Sequence, residues 1–375
     1  MDKRLINKIG VELPRLGFGC MRFPVKDGKI DFEKSKEMIH HAMEKNLNYF
    51  DTAYNYHNGE SEYFLGKVLP EFPRESYYLT SKLPVWEIKL SEDAEKIFNE
   101  QLNKCSTDYF DFYLLHSLSK KSIETVEKFN LYDFIAEKKK EGKIKNIGFS
   151  FHDTNGILEK FVTAHKWDFI QLQINYWDWA ENDAKGAYEI LEKSNIPCFV
   201  MEPVRGGFLS SFAPHVQKYL TDYSSEKSVS SWALKWVGSL PNIAIVLSGM
   251  SNMAQLNDNI NTYTDFENIN EEELKIIDIV VEELRKIQPV PCTGCRYCMD
   301  CSFGVDIPGI FSVYNDYKKT ENIELTIKDY KFFKEKETPE NCRKCGVCIP
   351  KCPQHINIPE ELEKIGKEIN LLMNN

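Results

Sequence analysis

The chain has 375 residues, 42% of them hydrophobic, and a formal net charge of -10. That length suits a barrel of about 250 residues with an appendage, and the hydrophobic fraction excludes general disorder. Acidic and basic residues are mixed along the chain, which argues against nucleic acid as the main partner and reads as solubility rather than as a clue to substrate.

The N-terminus, MDKRLINKIG, lacks the apolar centre of a signal peptide. No run of about 18 apolar residues follows, so no membrane partner is expected and the expected location is a reducing cytoplasm. A short hairpin is predicted over Leu5–Leu13. Buried-looking strands are predicted at Arg15–Gly19, Asn48–Asp51, Tyr77–Ser81, Phe110–Leu115, Ile144–Phe149, Phe169–Ile174, Cys198–Glu202 and Ala244–Leu247. Each is short and apolar, as a strand covered on both faces must be. Most recur at roughly 25–35 residues, the length of a strand-plus-helix unit. Helical periodicity fills the gaps, as in Phe32, Ser35, Ile39, Ala42 and Met43. The fold class predicted is α/β, a (β/α)8 barrel, rather than an open sheet. Gly17 and Gly19 lack the third glycine that a dinucleotide turn after the first strand would want. The barrel is expected to end with a helix over Glu271–Ile287, and Gln288-Pro289-Val290-Pro291 reads as an extended linker. The expected domains are therefore 1–287 and 288–375.

Barrel enzymes place reactive groups at the C-terminal ends of their strands. Asp51 ends the second predicted strand, Tyr56 lies in the loop beyond, Lys82 ends the third and His116 the fourth. Reducing a carbonyl needs a proton on oxygen as well as a hydride on carbon. A phenol of ordinary pKa, about 10, is a poor acid near neutrality, but a neighbouring ammonium favours the phenolate. Lys82 can supply that charge, Asp51 can hold Lys82, and His116 can donate to the carbonyl oxygen as charge develops there. Singly, each residue has an ordinary structural reading as a cap, a packing group, a solvated lysine or a satisfied core histidine. Their coincidence on successive strand ends favours catalysis.

These residues resemble the aldo-keto reductase family over residues 1–285. Asp51-Thr52-Ala53 followed by Tyr56 matches its D-x-A-x-x-Y signature, and Lys82 and His116 match the rest of its tetrad. The resemblance implies a (β/α)8 barrel that binds NADP or NAD in an extended pose and acts on a small carbonyl or alcohol substrate. It further implies that Ser150 and Gln173 hold the nicotinamide carboxamide and that Tyr176 stacks on the ring. Glu202, Pro203, Val204 and Arg205, with the glycines after them, match the pyrophosphate loop. Ser248, Gly249, Met250 and Ser251, then Gln255 and Asn259, match the adenosine segment. Two positions depart from the family pattern. Phe151 stands where asparagine is frequent, and Gln255 where an arginine often meets the 2′-phosphate of NADP. The choice between NAD and NADP is left open.

Of 11 cysteines, eight lie between Cys292 and Cys352. They form two sets, Cys292-x2-Cys295-x2-Cys298-x2-Cys301 and Cys342-x2-Cys345-x2-Cys348-x3-Cys352-Pro353. The second is the bacterial ferredoxin pattern, and the first is one residue short before its last cysteine. Three close thiolates occupy three corners of a cube, while the fourth typically reaches the other cube. One [4Fe–4S] cluster is thus assigned to Cys292, Cys295, Cys298 and Cys352, and a second to Cys342, Cys345, Cys348 and Cys301. Zinc is the competing reading and disulfides a distant third. Helices predicted over Ile310–Lys319 and Thr326–Glu335 make this a small, mostly helical ferredoxin-like domain. Cys20, Cys105 and Cys198 read as core residues. The leading function is a carbonyl-reducing oxidoreductase. The alternatives are an electron-transfer protein with a protein redox partner, or clusters that only staple the fold. Nicotinamide delivers electron pairs while such clusters take single electrons, and no flavin motif bridges the two.

Overall fold

An antiparallel hairpin of β1 (Lys3–Ile6) and β2 (Val11–Pro14) occupies the position predicted for it. The architecture comes from a computed structural model that describes residues 1–287 and 289–374; Gln288, the first residue of the predicted linker, lies outside the described residues. Contacts gather the chain into two units. One is Met1–Pro203 with Ala233–Ile269; the other is Val204–Trp232 with the chain from Asn270 onward.

The first unit holds a closed barrel of parallel strands: β3 (Leu16–Gly19), β6 (Tyr49–Asp51), β7 (Tyr78–Pro84), β8 (Phe110–Leu118), β9 (Ile144–Phe151), β10 (Phe169–Gln173), β11 (Cys198–Met201) and β12 (Ile243–Gly249). Sequence neighbours pair around the ring, and β12 closes on β3. A two-residue hairpin, β4 (Val25–Lys26) and β5 (Lys29–Ile30), is the small element the sequence pattern missed. The barrel is filled by large residues, with Tyr49, Phe112, Phe169 and Phe199 in one buried cluster. Ile6 and Leu13 of the hairpin join that cluster.

The intervening helices mostly follow the apolar periodicity, but Phe32, expected on the inward face, is exposed at the first position of its helix. Helix Phe32–Glu44 starts where Asp31 accepts the Lys34 N–H, and it buries Ser35, Met38, Ile39 and Ala42. In the second unit, helix Glu271–Ile287 packs against helix Pro214–Tyr223. Helices Ile307–Thr320, Ile323–Tyr330 and Ile358–Asn374 follow. Two of these begin three residues earlier than predicted because Asp306 and Asn322 cap them, accepting the N–H of Gly309 and Leu325. Their core is Val290, Val305, Ile310, Phe311, Tyr314, Ile365 and neighbours, with most of the clustered cysteines packed against it. No helix among the described residues is long and apolar enough to cross a membrane.

Candidate active site

Asp51 is the last residue of β6. Beyond it the chain turns on a Tyr56 N–H bond to the Ala53 carbonyl, 3.1 Å. It then passes through left-handed conformations at His57, Asn58 and Gly59, with φ of 51°, 54° and 87°. Gly59 takes this conformation without strain and starts helix Glu60–Val68. The bend leaves Tyr56 buried beside the strand ends.

Lys82 and His116 lie inside β7 and β8 rather than at their ends. Both strands run past the predicted limit because Lys82 pairs with Leu114 and Pro84 with His116. The Lys82 Nζ, fully buried, donates to Asp51 Oδ1 at 2.6 Å and to the Thr52 carbonyl at 2.7 Å. It lies 3.3 Å from the Tyr56 hydroxyl. Burial pushes the Asp51 carboxyl up and the Lys82 ammonium down, and each partner opposes the other's shift. Proximity at 2.6 Å favours the ion pair, which is the arrangement that keeps a positive charge at the phenol.

His116 lies within an irregularity in the β8–β9 pairing between Leu115 and Leu118. Ser117 there is left-handed, φ 58°, and its N–H donates to Ser150 Oγ at 2.7 Å. A bulge of this kind re-aims the side chains around it. The imidazole sits edge-on to Tyr56, ring centroids 6.1 Å apart, and 5.1 Å from the ring of Trp86. Burial, then Lys82 and His152, hold its pKa well below the ordinary histidine value. Because that pKa is lowered in the folded state, the unfolded chain takes the proton first as pH falls through about 6.5. The stability this gives is therefore present above about pH 6.5 and is lost below it, at up to about 1.4 kcal/mol per pH unit. Between about pH 7.5 and 5.5, thermal melts of wild type are expected to lose more stability than those of His116→Gln. Equal losses would mean that His116 is not held neutral.

A buried brace lies behind Lys82, and the sequence pattern did not single it out. Glu62, fully buried, accepts from Ser81 Oγ at 2.5 Å and Gln101 Nε2 at 2.6 Å. Gln101 also donates to the Lys82 carbonyl, 3.1 Å, and accepts from the Tyr113 hydroxyl, 2.5 Å. Burial raises the Glu62 carboxyl above its usual range. The available signal was an acid one turn before Leu65 on an inward helix face.

The expected cofactor residues fall on the later strands and the loops after them. Ser150 is buried in β9. Gln173 ends β10, and its Nε2 donates to Asp178 Oδ2 at 2.7 Å. Tyr176 is buried, edge-on to Trp236 at 6.3 Å. Glu202 and Pro203 follow β11, and Glu202 is left-handed with φ 56°. Val204 and Arg205 begin the second unit, and the Arg205 side chain is buried there. Ser248 and Gly249 end β12. The Ser248 Oγ accepts from Asn259 Nδ2 at 2.7 Å, and Met250 is buried. The Ser251 N–H donates to Gln255 Oε1 at 2.8 Å, while the Gln255 N–H donates to Asn252 Oδ1 at 2.9 Å. Gln255 is thus engaged in capping its own helix. The structure also brings Arg22 here, which spacing along the chain could not show. Ser251 Oγ donates to the Arg22 carbonyl at 2.8 Å, and a Cβ on Gly249 would lie 2.9 Å from the Arg22 Cβ. Among the tryptophans, Trp86 flanks His116, Trp177 is buried, and Trp179 packs on Trp236 and Tyr188 at 5.2 and 5.4 Å.

In the second unit, Cys292, Cys295, Cys298 and Cys352 line one pocket, walled by Ile307, Phe311 and Ile358. Burial, then Cys295, Cys292 and Cys352, push the Cys298 thiol up to about 12. A thiolate is stable there only against metal charge. Cys348 is raised by burial and by Cys342, Cys345 and Cys301. Cys352 thus lies near the first motif and Cys301 near the second. Both motifs wrap alike, with left-handed residues on either side of the second cysteine: Gly294 and Arg296 in one, Lys344 and Gly346 in the other. Four thiols per set are donors that either zinc or an iron–sulfur cluster can take, and the ferredoxin spacing of the motifs favours the cluster.

The sequence profile of the aldo/keto reductase family matches residues 15–282, and that of the 4Fe-4S dicluster domain matches residues 291–356. The uncharacterized oxidoreductase YqkF of Bacillus subtilis is 23% identical over 308 residues, 74% of this chain and 95% of that protein. The NADH-specific methylglyoxal reductase of Escherichia coli is 28% identical over 236 residues, 56% of this chain and 69% of that protein. The aldo-keto reductase AKR11C1 of Bacillus halodurans, in its holo form, superposes with a TM-score of 0.61 at 23% identity, covering 75% of this chain and 96% of that one, a likeness of fold.

Proposed function

The chain belongs to the aldo/keto reductase family and carries a C-terminal 4Fe-4S dicluster domain, and on that premise we propose that it interconverts an aldehyde or ketone and its alcohol with NAD(P)H, using Tyr56 as general acid and base. The observation that carries this is the fully buried Lys82 ammonium, 2.6 Å from Asp51 and 3.3 Å from the Tyr56 hydroxyl. When bound, the reduced nicotinamide supplies the hydride to the carbonyl carbon. The chain's own residues handle the oxygen. Tyr56 gives its phenolic proton to the carbonyl oxygen, and Lys82 stabilises the phenolate left behind. Asp51 and the Thr52 carbonyl hold the ammonium in place. His116, kept neutral, donates its N–H to the same oxygen as charge builds. Ser150 and Gln173 hold the carboxamide. In the alcohol direction the proton returns to Tyr56. The test is a screen of small aldehydes and ketones with NADH and NADPH on anaerobically purified protein. No turnover with any of them would count against the reading.

Two [4Fe–4S] clusters are proposed, one on Cys292, Cys295, Cys298 and Cys352 and the other on Cys342, Cys345, Cys348 and Cys301. Eight thiols kept for iron suit a reducing cytoplasm. A second reading, in which a protein redox partner exchanges electrons with the second set, is favoured by the exposure of Cys345 and of Val347 beside it.

For the nucleotide we predict weak discrimination or a preference for NADH. The 2′-phosphate of NADP needs cations or helix-end amides. Residues 249–259 contain no lysine or arginine, and Gln255 is turned to its helix cap. The backbone and Cβ of Arg22 adjoin Ser251 and Gly249, which makes Arg22 a further cation to test. A charge-assisted pair is worth about 1.5–3 kcal/mol, about ten- to a hundredfold in affinity. Gln255→Arg is expected to tighten NADPH by that factor and to leave NADH unchanged in fluorescence titration. A strong native preference for NADPH, unaltered by the arginine, would show that the phosphate is held elsewhere. The E. coli relative is named for NADH, in line with the prediction.

A further inference from the structure

The loop after β11 is wound through a run of left-handed conformations. Glu202, Arg205, Gly206 and Gly207 have φ of 56°, 48°, 63° and 94°. At non-glycine residues such positions cost about 1–3 kcal/mol each and persist only where the surroundings fix them. Asn175 donates to the Glu202 carbonyl at 3.0 Å and the N–H groups of Gly207 and Leu209 donate to the Val204 carbonyl, while Gly206 is backed by the first cysteine motif. A Cβ at Gly206 would lie 2.6 Å from the carbonyl carbon of Thr293 and closer still to its oxygen. The two backbones touch, and only glycine fits. Thr293 stands between Cys292 and Cys295 and is buried.

A second contact completes the attachment. Lys319 Nζ lies 5.6 Å from the centre of the Phe208 ring, and both residues are buried. Lys319 is one turn beyond Asn315 on helix Ile307–Thr320. Asn315 grips Val290 by both backbone groups, accepting its N–H at 2.9 Å and donating to its carbonyl at 2.8 Å. That carbonyl also accepts the Cys292 N–H at 2.7 Å. Gly206, Thr293, Cys292, Val290, Asn315, Lys319 and Phe208 therefore form a closed circuit of contacts within the second unit.

We propose that the first cysteine set is the seat of the nucleotide loop, so that NAD(P)H affinity depends on the cluster held by Cys292, Cys295, Cys298 and Cys352. This rests on the nicotinamide reading above, which gives residues 202–207 the pyrophosphate. With four thiolates drawn to one cluster, Cys292 and Thr293 are fixed and the loop above them is preorganised. Without it, the seat loosens and binding must supply the ordering that the cluster otherwise provides. Thr293 and Asn315 are positioning residues, since they act through the loop. No electron moves between nucleotide and cluster in this scheme.

The test uses the full chain purified anaerobically, the same protein stripped by an iron chelator, and the variants Gly206→Ala and Asn315→Ala with iron measured. Two quantities are read: nucleotide Kd by fluorescence, and tryptic cleavage after Arg205. Stripping is expected to raise Kd by about tenfold or more and to open Arg205 to trypsin. Each variant is expected to do the same while keeping its iron. Stripped and loaded protein with equal Kd would overturn the proposal, as would an iron-loaded variant with wild-type Kd. Where stripping also unfolds the barrel, seen by circular dichroism, the variants decide, and where one variant fails to accumulate the other does. If loaded wild type binds neither nucleotide, the nicotinamide reading itself has failed.

Discussion

Tyr56→Phe is expected to lower carbonyl reduction by about 10²- to 10⁴-fold, the usual worth of a positioned general acid, while nucleotide affinity stays within about twofold. The substitution removes one oxygen and leaves the ring. The ring is packed edge-on to His116 at 6.1 Å and lies 4.7 Å from Lys82 Nζ, contacts that need no hydroxyl. Lys82 loses its 3.3 Å neighbour but keeps Asp51 at 2.6 Å and the Thr52 carbonyl at 2.7 Å, so the buried charge stays paired. The loss should therefore appear in turnover and not in stability. On the barrier the predicted fold-change is about 2.7–5.5 kcal/mol. Steady-state rates on the best carbonyl found, beside nucleotide titration and a thermal melt, separate the outcomes. A variant that reduces that substrate at the wild-type rate would show that Tyr56 is not the proton donor.

Anaerobically purified protein is expected to be brown and to hold about eight irons with matching acid-labile sulfide, two cubes of four. Removing them should melt the helices of residues 290–374 while the barrel remains. The reason lies in the core of that region. Val290, Val305, Ile310, Phe311, Tyr314 and Ile365 are buried, but Cys292, Cys298, Cys301, Cys342, Cys348 and Cys352 pack against them as part of the same cluster. A small domain with so short an apolar inventory is marginal on its own, and a bound metal centre then contributes folding energy directly. Far-UV circular dichroism and limited proteolysis before and after chelation measure the effect. Stoichiometric zinc without sulfide would refute the cluster assignment. An unchanged spectrum after complete iron removal would refute the structural role.

Two kinds of information were legible in the amino-acid order because they are local. Short apolar runs alternating with helical periodicity gave the eight barrel strands, since burial on both faces imposes its pattern on every strand separately. The spacing of Asp51 to Tyr56 and of the clustered cysteines was equally readable, because a turn of fixed length brings those groups together wherever it occurs. Strand limits were not. β7 and β8 extend beyond their apolar runs to take in Lys82 and His116, and their length is set by hydrogen bonding to neighbours. The bulge that ties Ser117 to Ser150 belongs to the register of two strands and has no signature in either.

Only the tertiary structure joined residues that are far apart in sequence. It set Glu62 and Gln101 behind Lys82, brought Arg22 to the segment after β12, and laid Gly206 on Thr293. None of these pairs shares a helix, a strand or a short turn, so periodicity and spacing are silent about them. Which distant groups meet is decided by packing within each unit, because packing is determined by the shapes of all its elements together.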